Sequence, residues 1–184
     1  MVELFGLWMP IAASTVALFF ASFVAWVVIG HHNPDWQELP NEAETAGRIK
    51  NCDLPVGRYI FPCARTKADM ENASKQELIA NGPWGTINIW SGQPSMGRNM
   101  ALTFMFYLVA NIFIAYLATL ALEPGAGFSQ VFQVTGTAAI LAHCFAFMPN
   151  AIWFGVPKRA IVMDVLDGIV YGLLTGAIFG GLWP

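Results

Sequence analysis

Long apolar runs dominate the pattern of hydrophobic and polar positions along the chain. Three runs contain no Asp, Glu, Lys or Arg and cover residues 4–34, 99–122 and 124–157. A fourth run, 161–184, reaches a comparable length only because it includes Asp164 and Asp167. Since about 18 apolar residues suffice for a helix to cross a bilayer, the pattern predicts four membrane-spanning helices.

The segment 31–98, between the first two runs, has shorter and mixed patterns. Two aromatic and β-branched stretches bounded by Gly and Pro are typical of strands, and polar capping residues precede two short helices. The predicted elements are a helix capped by Asn41 and ending at Lys50, a strand at 58–61, a helix opened by Thr66 and Asp69, and a strand at 86–90. Because so small a core is marginal alone, we expect this segment to rest on the membrane helices or on a partner subunit.

Together the patterns predict an all-α transmembrane four-helix bundle with a small α+β insertion between helices 1 and 2. The predicted divisions are 1–30 for helix 1, 31–98 for the insertion and 99–184 for helices 2 to 4. The first apolar run is too long for a cleaved signal peptide and lacks a basic start, so we expect it to be a permanent helix.

Composition and charge support a membrane location and suggest an orientation. The chain is 56% hydrophobic and 11% charged, whereas soluble domains carry roughly a quarter charged residues. Four spans place the seven basic residues of 31–98 on the same side as Lys158 and Arg159. The positive-inside rule then predicts that residues 31–98 are cytoplasmic and that both termini lie on the outer side of the membrane. Eight acidic residues in the same segment argue against a nucleic-acid partner.

Two series of small residues recur every four positions in the first and fourth runs. Such series let helix backbones approach closely, as in GxxxG motifs. We expect the two helices to pack on each other or on a partner helix through these residues: Ala13, Ala17, Ala21 and Ala25 in the first run, and Gly168, Gly172, Gly176 and Gly180 in the fourth.

Four polar side chains fall inside the predicted spans, where burying them is costly. Asp164 and Asp167 begin the fourth span, where they would pair with Lys158, Arg159 or interfacial water, or serve as a proton or ion relay. Asn111 and Asn150 are expected to hydrogen-bond between helices.

The histidines are the candidate ligands. His143, near the middle of the third span, is either a structural histidine or an axial ligand to haem or to a chlorin. We expect His31, His32, Asp35 and Trp36 to form an interface cluster that anchors the chain where Asn33-Pro34 ends the first helix, and that would contact a quinone or lipid headgroup. With His31 and His32 at the membrane face, His143 would be about 20 Å deeper, so the two sets would not share a metal.

Metal and catalytic motifs are absent from the sequence. The three cysteines lack CxxC spacing, so no metal or disulfide role is expected for them. There is no HExxH, GxSxG or phosphate-binding glycine loop, and we therefore assign no catalytic residue or metal ligand and do not expect an enzyme.

Six short motifs spread over nearly the whole chain look familiar together. They are Trp8-Met9-Pro10, His31 with Asp35-Trp36 and Leu39-Pro40, Pro55 with Gly57, Tyr59 and Phe61-Pro62, Met96-Gly97, Asp167-Gly168 with Tyr171, and Trp183-Pro184. In this combination the chain resembles an uncharacterised family of small bacterial four-helix inner-membrane proteins. The resemblance implies the architecture and a bacterial origin. In an inner-membrane protein the outer side, where both termini are expected, is the periplasm. The resemblance implies no catalytic residues. Neither His143-Cys144 nor the second histidine, His32, is part of the family pattern.

The functional expectation is reached by elimination. Close-packing residues and the absence of a catalytic set predict an accessory or structural subunit of a larger inner-membrane complex, such as a respiratory or photosynthetic electron-transfer assembly. Its partners would be other membrane subunits and lipid. One alternative is a small oligomeric transporter or channel that uses Asp164 and Asp167. Another is a haem- or pigment-binding subunit that uses His143.

Overall fold

The computed structural model describes residues 3–184 and contains nine helices and strands that we label in chain order. They are α1 (Leu4–Ile29), α2 (Glu42–Asn51), β1 (Gly57–Phe61), α3 (Lys67–Glu71), α4 (Ala73–Asn81), β2 (Gly85–Ile89), α5 (Met96–Ala121), α6 (Phe128–Trp153) and α7 (Lys158–Gly181). The four longest, α1, α5, α6 and α7, are long and apolar enough to cross a membrane. The prediction of four spanning helices is therefore confirmed by length and composition.

Contacts divide the chain into two units. The first contains the described residues up to Trp36, together with Ser95–Ile152 and Val156–Pro184. The second contains Gln37–Pro94 and the short piece Trp153–Gly155. Residues 31–36, which the sequence grouped with the insertion, thus pack with the spanning helices.

The spanning unit has a core of small and medium-sized side chains. One fully or almost fully buried cluster joins α1, α5, α6 and α7 and comprises Leu7, Ile11, Ala115, Ala118, Leu122, Val131 and Phe179. A second cluster joins Leu18, Tyr107 and Tyr171, with Ala21 packed against it. Asn111, also buried, donates to Thr15 Oγ1 on α1 at 3.4 Å and to the Tyr107 carbonyl at 2.9 Å. The expected hydrogen bond between helices at Asn111 is confirmed.

The glycine series of α7 packs against α6, another helix of the same chain, and not against the alanine series of α1. A Cβ added at Gly176 would lie 2.9 Å from the Phe132 carbonyl oxygen, and one at Gly180 would lie 2.8 Å from the Phe128 ring. Gly172 faces Ile140 and the backbone of Gly136. The reason is that α6 supplies its own small residue, Gly136, so two glycine-bearing helices come together within one chain.

The alanine series of α1 has a weaker role than its spacing suggested. Ala25 is buried, whereas Ala13, Ala17 and Ala21 are half-buried. The fully buried positions of this helix include Ser14, Thr15 and Leu18 instead. The α1 interface is therefore built from polar hydroxyl groups and a leucine as much as from alanine.

The second unit follows the sequence prediction closely. β1 and β2 form an antiparallel pair with Tyr59 opposite Ile87. Thr66 and Asp69 form a reciprocal capping box at the start of α3. The helix predicted there is divided at Asn72, whose side chain caps α4 by accepting from the Lys75 amide. Asn41 precedes α2 but makes no side-chain cap, because its own backbone is left-handed (φ 50°).

Candidate metal centre

A glycine turn at the end of α1 positions the first two residues of the site. The last turn of α1, Val24–Ile29, is π-helical, and the Gly30 amide closes it by donating to the Ala25 carbonyl at 3.1 Å. Gly30 is left-handed (φ 64°), a conformation that strains other L residues, and a Cβ there would lie 2.7 Å from Asn33 Nδ2. The helix thus ends at Gly30 and not at Asn33-Pro34, and the turn brings His31 and His32 beside α7.

Both histidines face one carboxylate on α7. His31 Nε2 lies 3.1 Å from Asp167 Oδ1, and His32 Nε2 lies 3.1 Å from Asp167 Oδ2. One ligand atom from each of the three residues can be chosen so that all lie within 4.8 Å of one another. The two imidazole rings are also neighbours, with centroids 4.4 Å apart. Two nitrogen donors and a carboxylate therefore converge on one point.

His32 is held in place on three sides. Its ring stacks on the Trp26 indole, with centroids 4.0 Å apart and planes inclined by 14°. Its Nδ1 lies 3.0 Å from Asp35 Oδ2, and the side chain is only 2% exposed. When Nδ1 carries the proton donated to Asp35, Nε2 presents either a second proton or a lone pair toward Asp167.

Asp35 is fixed in turn by Arg159, at the start of α7. The Arg159 guanidinium pairs with Asp35 Oδ1 and also donates to the His31 carbonyl at 2.7 Å. Burial alone would raise the pKa of the Asp35 carboxyl, but the hydrogen bonds from His32 and Arg159 and the guanidinium charge outweigh burial and lower this pKa below its usual value. Asp35 is consequently a carboxylate at neutral pH.

The permanent charges of the cluster do not cancel. With neutral imidazoles, the two carboxylates of Asp35 and Asp167 outnumber the single guanidinium of Arg159 by one charge. A proton on His32 restores balance and satisfies both of its carboxylate contacts. A divalent ion bound by the two Nε2 atoms and Asp167 would displace that proton and would change the summed charge of these groups from −1 to +1.

An aromatic cavity of about 370 Å³ borders Asp167 on the side of α5 and α6. His143 lines this cavity. The centroid of its ring is 5.8 Å from the ring centroid of Tyr107 and 5.7 Å from that of Tyr171. The Tyr171 hydroxyl donates to Asp167 Oδ2 at 3.4 Å, so a single tyrosine connects His143 to the cluster. His143 Nε2 is buried and has no hydrogen-bond partner within residues 3–184.

Some site residues contact partners other than those that the sequence predicted. Asp167 contacts the two histidines and not Lys158 or Arg159, because the turn after α1 inserts His31 and His32 ahead of those cations. His31 and His32 contact Asp167, and Asp167 lines the same cavity as His143. The three side chains grouped closely enough to hold one ion are His31, His32 and Asp167, and His143 is not among them.

The remaining predicted residues lie outside the cluster. Asp164 lines the aromatic cavity one turn before Asp167. Trp36 is 77% exposed and stays out of contact with the histidines, whereas Trp26 takes the stacking position. Asn150 is exposed on α6, and no hydrogen bond of its side chain to another described residue is found.

Sequence reasoning missed Trp26 and Tyr171 as parts of the site, and it paired Arg159 with Asp164 or Asp167 where the structure pairs it with Asp35. The sequence did indicate that Tyr171 lies near Asp167, since the two residues are four positions apart and so lie on the same face of a helix. The sequence contained no signal for the stacking of Trp26 on His32 or for the pairing of Arg159 with Asp35, because both contacts depend on how the turn after α1 meets α7.

By length and composition the four apolar helices indicate a multi-pass membrane protein, and two of them, with the turn after α1, position a histidine–carboxylate cluster in which His32 is buried and His31 and Asp167 are partly exposed. Searches against protein-family models, curated proteins and solved structures find no match for the chain. A functional assignment therefore has to come from the chemistry of the centre.

Proposed function

We propose that this protein binds a divalent first-row transition-metal ion within its membrane bundle, through His31 Nε2, His32 Nε2 and the Asp167 carboxylate. The observation that carries the proposal is the pair of 3.1 Å separations between the two Nε2 atoms and the two oxygens of Asp167. Ligands that bind one ion at about 2.0–2.2 Å, in tetrahedral or octahedral geometry, are themselves about 3.0–3.5 Å apart. Both nitrogen-to-oxygen separations fall in this range, and one ligand atom from each of the three side chains can be chosen so that all lie within 4.8 Å of one another.

The donor set indicates which ions fit. Two imidazoles and one carboxylate are the protein ligands of several catalytic zinc sites and of non-haem Fe(II) centres, both of which leave coordination positions open. Magnesium and calcium prefer oxygen ligands, so the two imidazole nitrogens disfavour them. We therefore propose Zn2+ or Fe2+ as the resident ion.

The surroundings of the ligands support the same function. Metal-binding histidines usually donate their second nitrogen to a carboxylate, which fixes the ring and raises its basicity. Asp35 occupies this place at His32, and Arg159 holds Asp35. The Tyr171 hydroxyl approaches Asp167 in a similar supporting role.

Metal content of the purified protein tests the proposal. The protein would be extracted in mild detergent, stripped with a chelator, reloaded with Zn2+ or Fe2+, and analysed by mass spectrometry of the metal. We expect one tightly bound ion per chain in the wild type and its loss in Asp167→Asn. Asp164→Asn is the matched control, since it makes the same change one turn away on α7 and leaves the ligand set intact. Equal metal content in the two variants would contradict the proposal.

A further inference from the structure

A second cavity reaches two of the three proposed ligands, His31 and Asp167. It has a volume of about 430 Å³, lies between α1 and α7, and ends at His31, Asp167 and Tyr171. The rest of its wall is apolar and includes Phe20, Val24 and Val170. We call this cavity the lateral groove.

The lateral groove opens on the outer surface of the bundle. Phe20 is 61% exposed, Val24 42% and Val170 48%, so its walls continue into the apolar surface that a spanning bundle presents to lipid. A molecule already dissolved in the bilayer could enter sideways without crossing an aqueous layer. The other cavity, which shares Asp167 and Tyr171, is lined by polar and aromatic side chains, including His143 and Asp164.

We propose that the lateral groove binds the alkyl chain of a single-chain amphiphile whose oxygen-donor head group ligates the metal at His31, His32 and Asp167. This inference rests on the proposed metal-binding function. A groove of about 430 Å³ is at the lower end of the range of roughly 300–1,000 Å³ found for small-molecule sites, and this size favours one chain over a diacyl lipid.

Physical chemistry assigns different roles to the two ends of such a ligand. A lipid environment is as apolar as the groove, so transfer of the chain from the bilayer gains little hydrophobic free energy. The chain therefore supplies orientation and packing, whereas the head group supplies affinity through an open coordination position. Blocking the groove should consequently exclude long ligands and leave short ones unaffected.

Cobalt provides a visible test, because the absorption of bound Co2+ changes when a ligand enters its coordination sphere. The full-length protein in lipid nanodiscs would be loaded with Co2+ and titrated with decanehydroxamate, or with acetohydroxamate as the short ligand. Val24→Trp and Val170→Trp block the groove from its two walls. Val28→Trp is the matched control, since Val28 is 66% exposed one turn further along α1 and lies outside the groove.

We expect decanehydroxamate to bind the wild type and Val28→Trp equally and each blocking variant at least about tenfold more weakly, because a filled groove leaves no room for the chain. Acetohydroxamate should bind all four proteins alike. Undiminished binding of decanehydroxamate by both blocking variants would overturn the lateral-groove inference alone, since Co2+ would still be bound. Absence of a Co2+ spectrum in the wild type would overturn the metal-binding function and this inference together.

Discussion

His32 Nε2 lies 3.1 Å from Asp167 Oδ2, although 135 positions separate the two residues in the chain. The contact joins the turn after α1 to the third turn of α7. The buried imidazole of His32 lies between two carboxylates, because its other nitrogen, Nδ1, is 3.0 Å from Asp35 Oδ2. The first prediction concerns this second carboxylate.

Asp35→Asn should weaken metal binding without removing a ligand. The amide oxygen of Asn accepts the hydrogen bond from His32 Nδ1–H more weakly than a carboxylate does. His32 therefore becomes a weaker and less well-oriented metal ligand through Nε2. We expect the affinity for Zn2+ to fall by about 10-fold to 100-fold, measured by competition with a coloured chelator. Glu38→Gln, an exposed change nearby in the chain, is the control and should bind as the wild type. Unchanged affinity in Asp35→Asn would contradict the supporting role of Asp35.

Gly176→Leu should destabilise the bundle by separating α6 from α7. A Cβ at Gly176 already meets the Phe132 carbonyl oxygen at 2.9 Å, and the backbone cannot yield as a flexible side chain would. We expect a loss of about 1–3 kcal/mol or more, observed as a lower midpoint of thermal unfolding in detergent. Gly181→Leu is the matched control. It makes the same substitution on the same helix, at a position where no atom lies within 4 Å of the added Cβ. Equal midpoints for the two variants would show that the α6–α7 contact is unimportant.

Acid should loosen the junction of α3 and α4 through Asp69. Hydrogen bonds from Lys75 and from the amides of Thr66 and Arg65 lower the pKa of the Asp69 carboxyl well below its usual value. A carboxyl whose pKa is lower in the folded state stabilises the fold above its unfolded pKa of about 3.9, and this contribution is lost as the pH falls through the folded pKa. Hydrogen exchange of the α3 and α4 amides should therefore accelerate below about pH 4 in the wild type.

Asp69→Asn serves as the reference for this pH effect. The variant lacks the titrating group, so amide exchange in α3 and α4, corrected for its intrinsic pH dependence, should change less on acidification. An identical response in both proteins would assign the acid sensitivity to another residue.

The predicted orientation can be tested with Cys52, which is exposed in the second unit. If residues 31–98 are cytoplasmic, a membrane-impermeant maleimide should label Cys52 only after the inner membrane has been opened. A Cys63→Ser background removes the other thiol of this unit. Ser129→Cys combined with Cys52→Ser moves the exposed thiol to the first turn of α6, which should be labelled in intact spheroplasts. The reverse labelling pattern would invert the topology.

Local patterns in the sequence were sufficient to predict the secondary structure. The four spans follow from apolar length, and the strands at Gly57–Phe61 and Gly85–Ile89 follow from aromatic and β-branched residues between Gly and Pro. The capping box of Thr66 and Asp69 needs only neighbours three residues apart. All of these features depend on interactions within a few residues.

The candidate site could not be predicted in the same way. His31, His32 and Asp167 were each noticed separately, but their meeting depends on the left-handed turn at Gly30 and on the packing of α1 beside α7. The partner of the glycine series was equally hidden, because a GxxxG pattern says that some helix approaches closely and not which one. In the structure α6 fills that place, so the glycine series no longer supports the predicted partner subunit.

The proposed ion would also stabilise the fold, because it would join the adjacent residues His31 and His32 to a distant part of the chain at Asp167. An ion held by two consecutive residues after α1 and by Asp167 would act as a reversible cross-link that closes most of the polypeptide into one ring. Such a bond restricts the unfolded chain as a disulfide does, with a strength that depends on the free concentration of the ion. At a hundred times its dissociation constant the ion would add about 2.7 kcal/mol, so the bundle would loosen when the cell becomes short of metal.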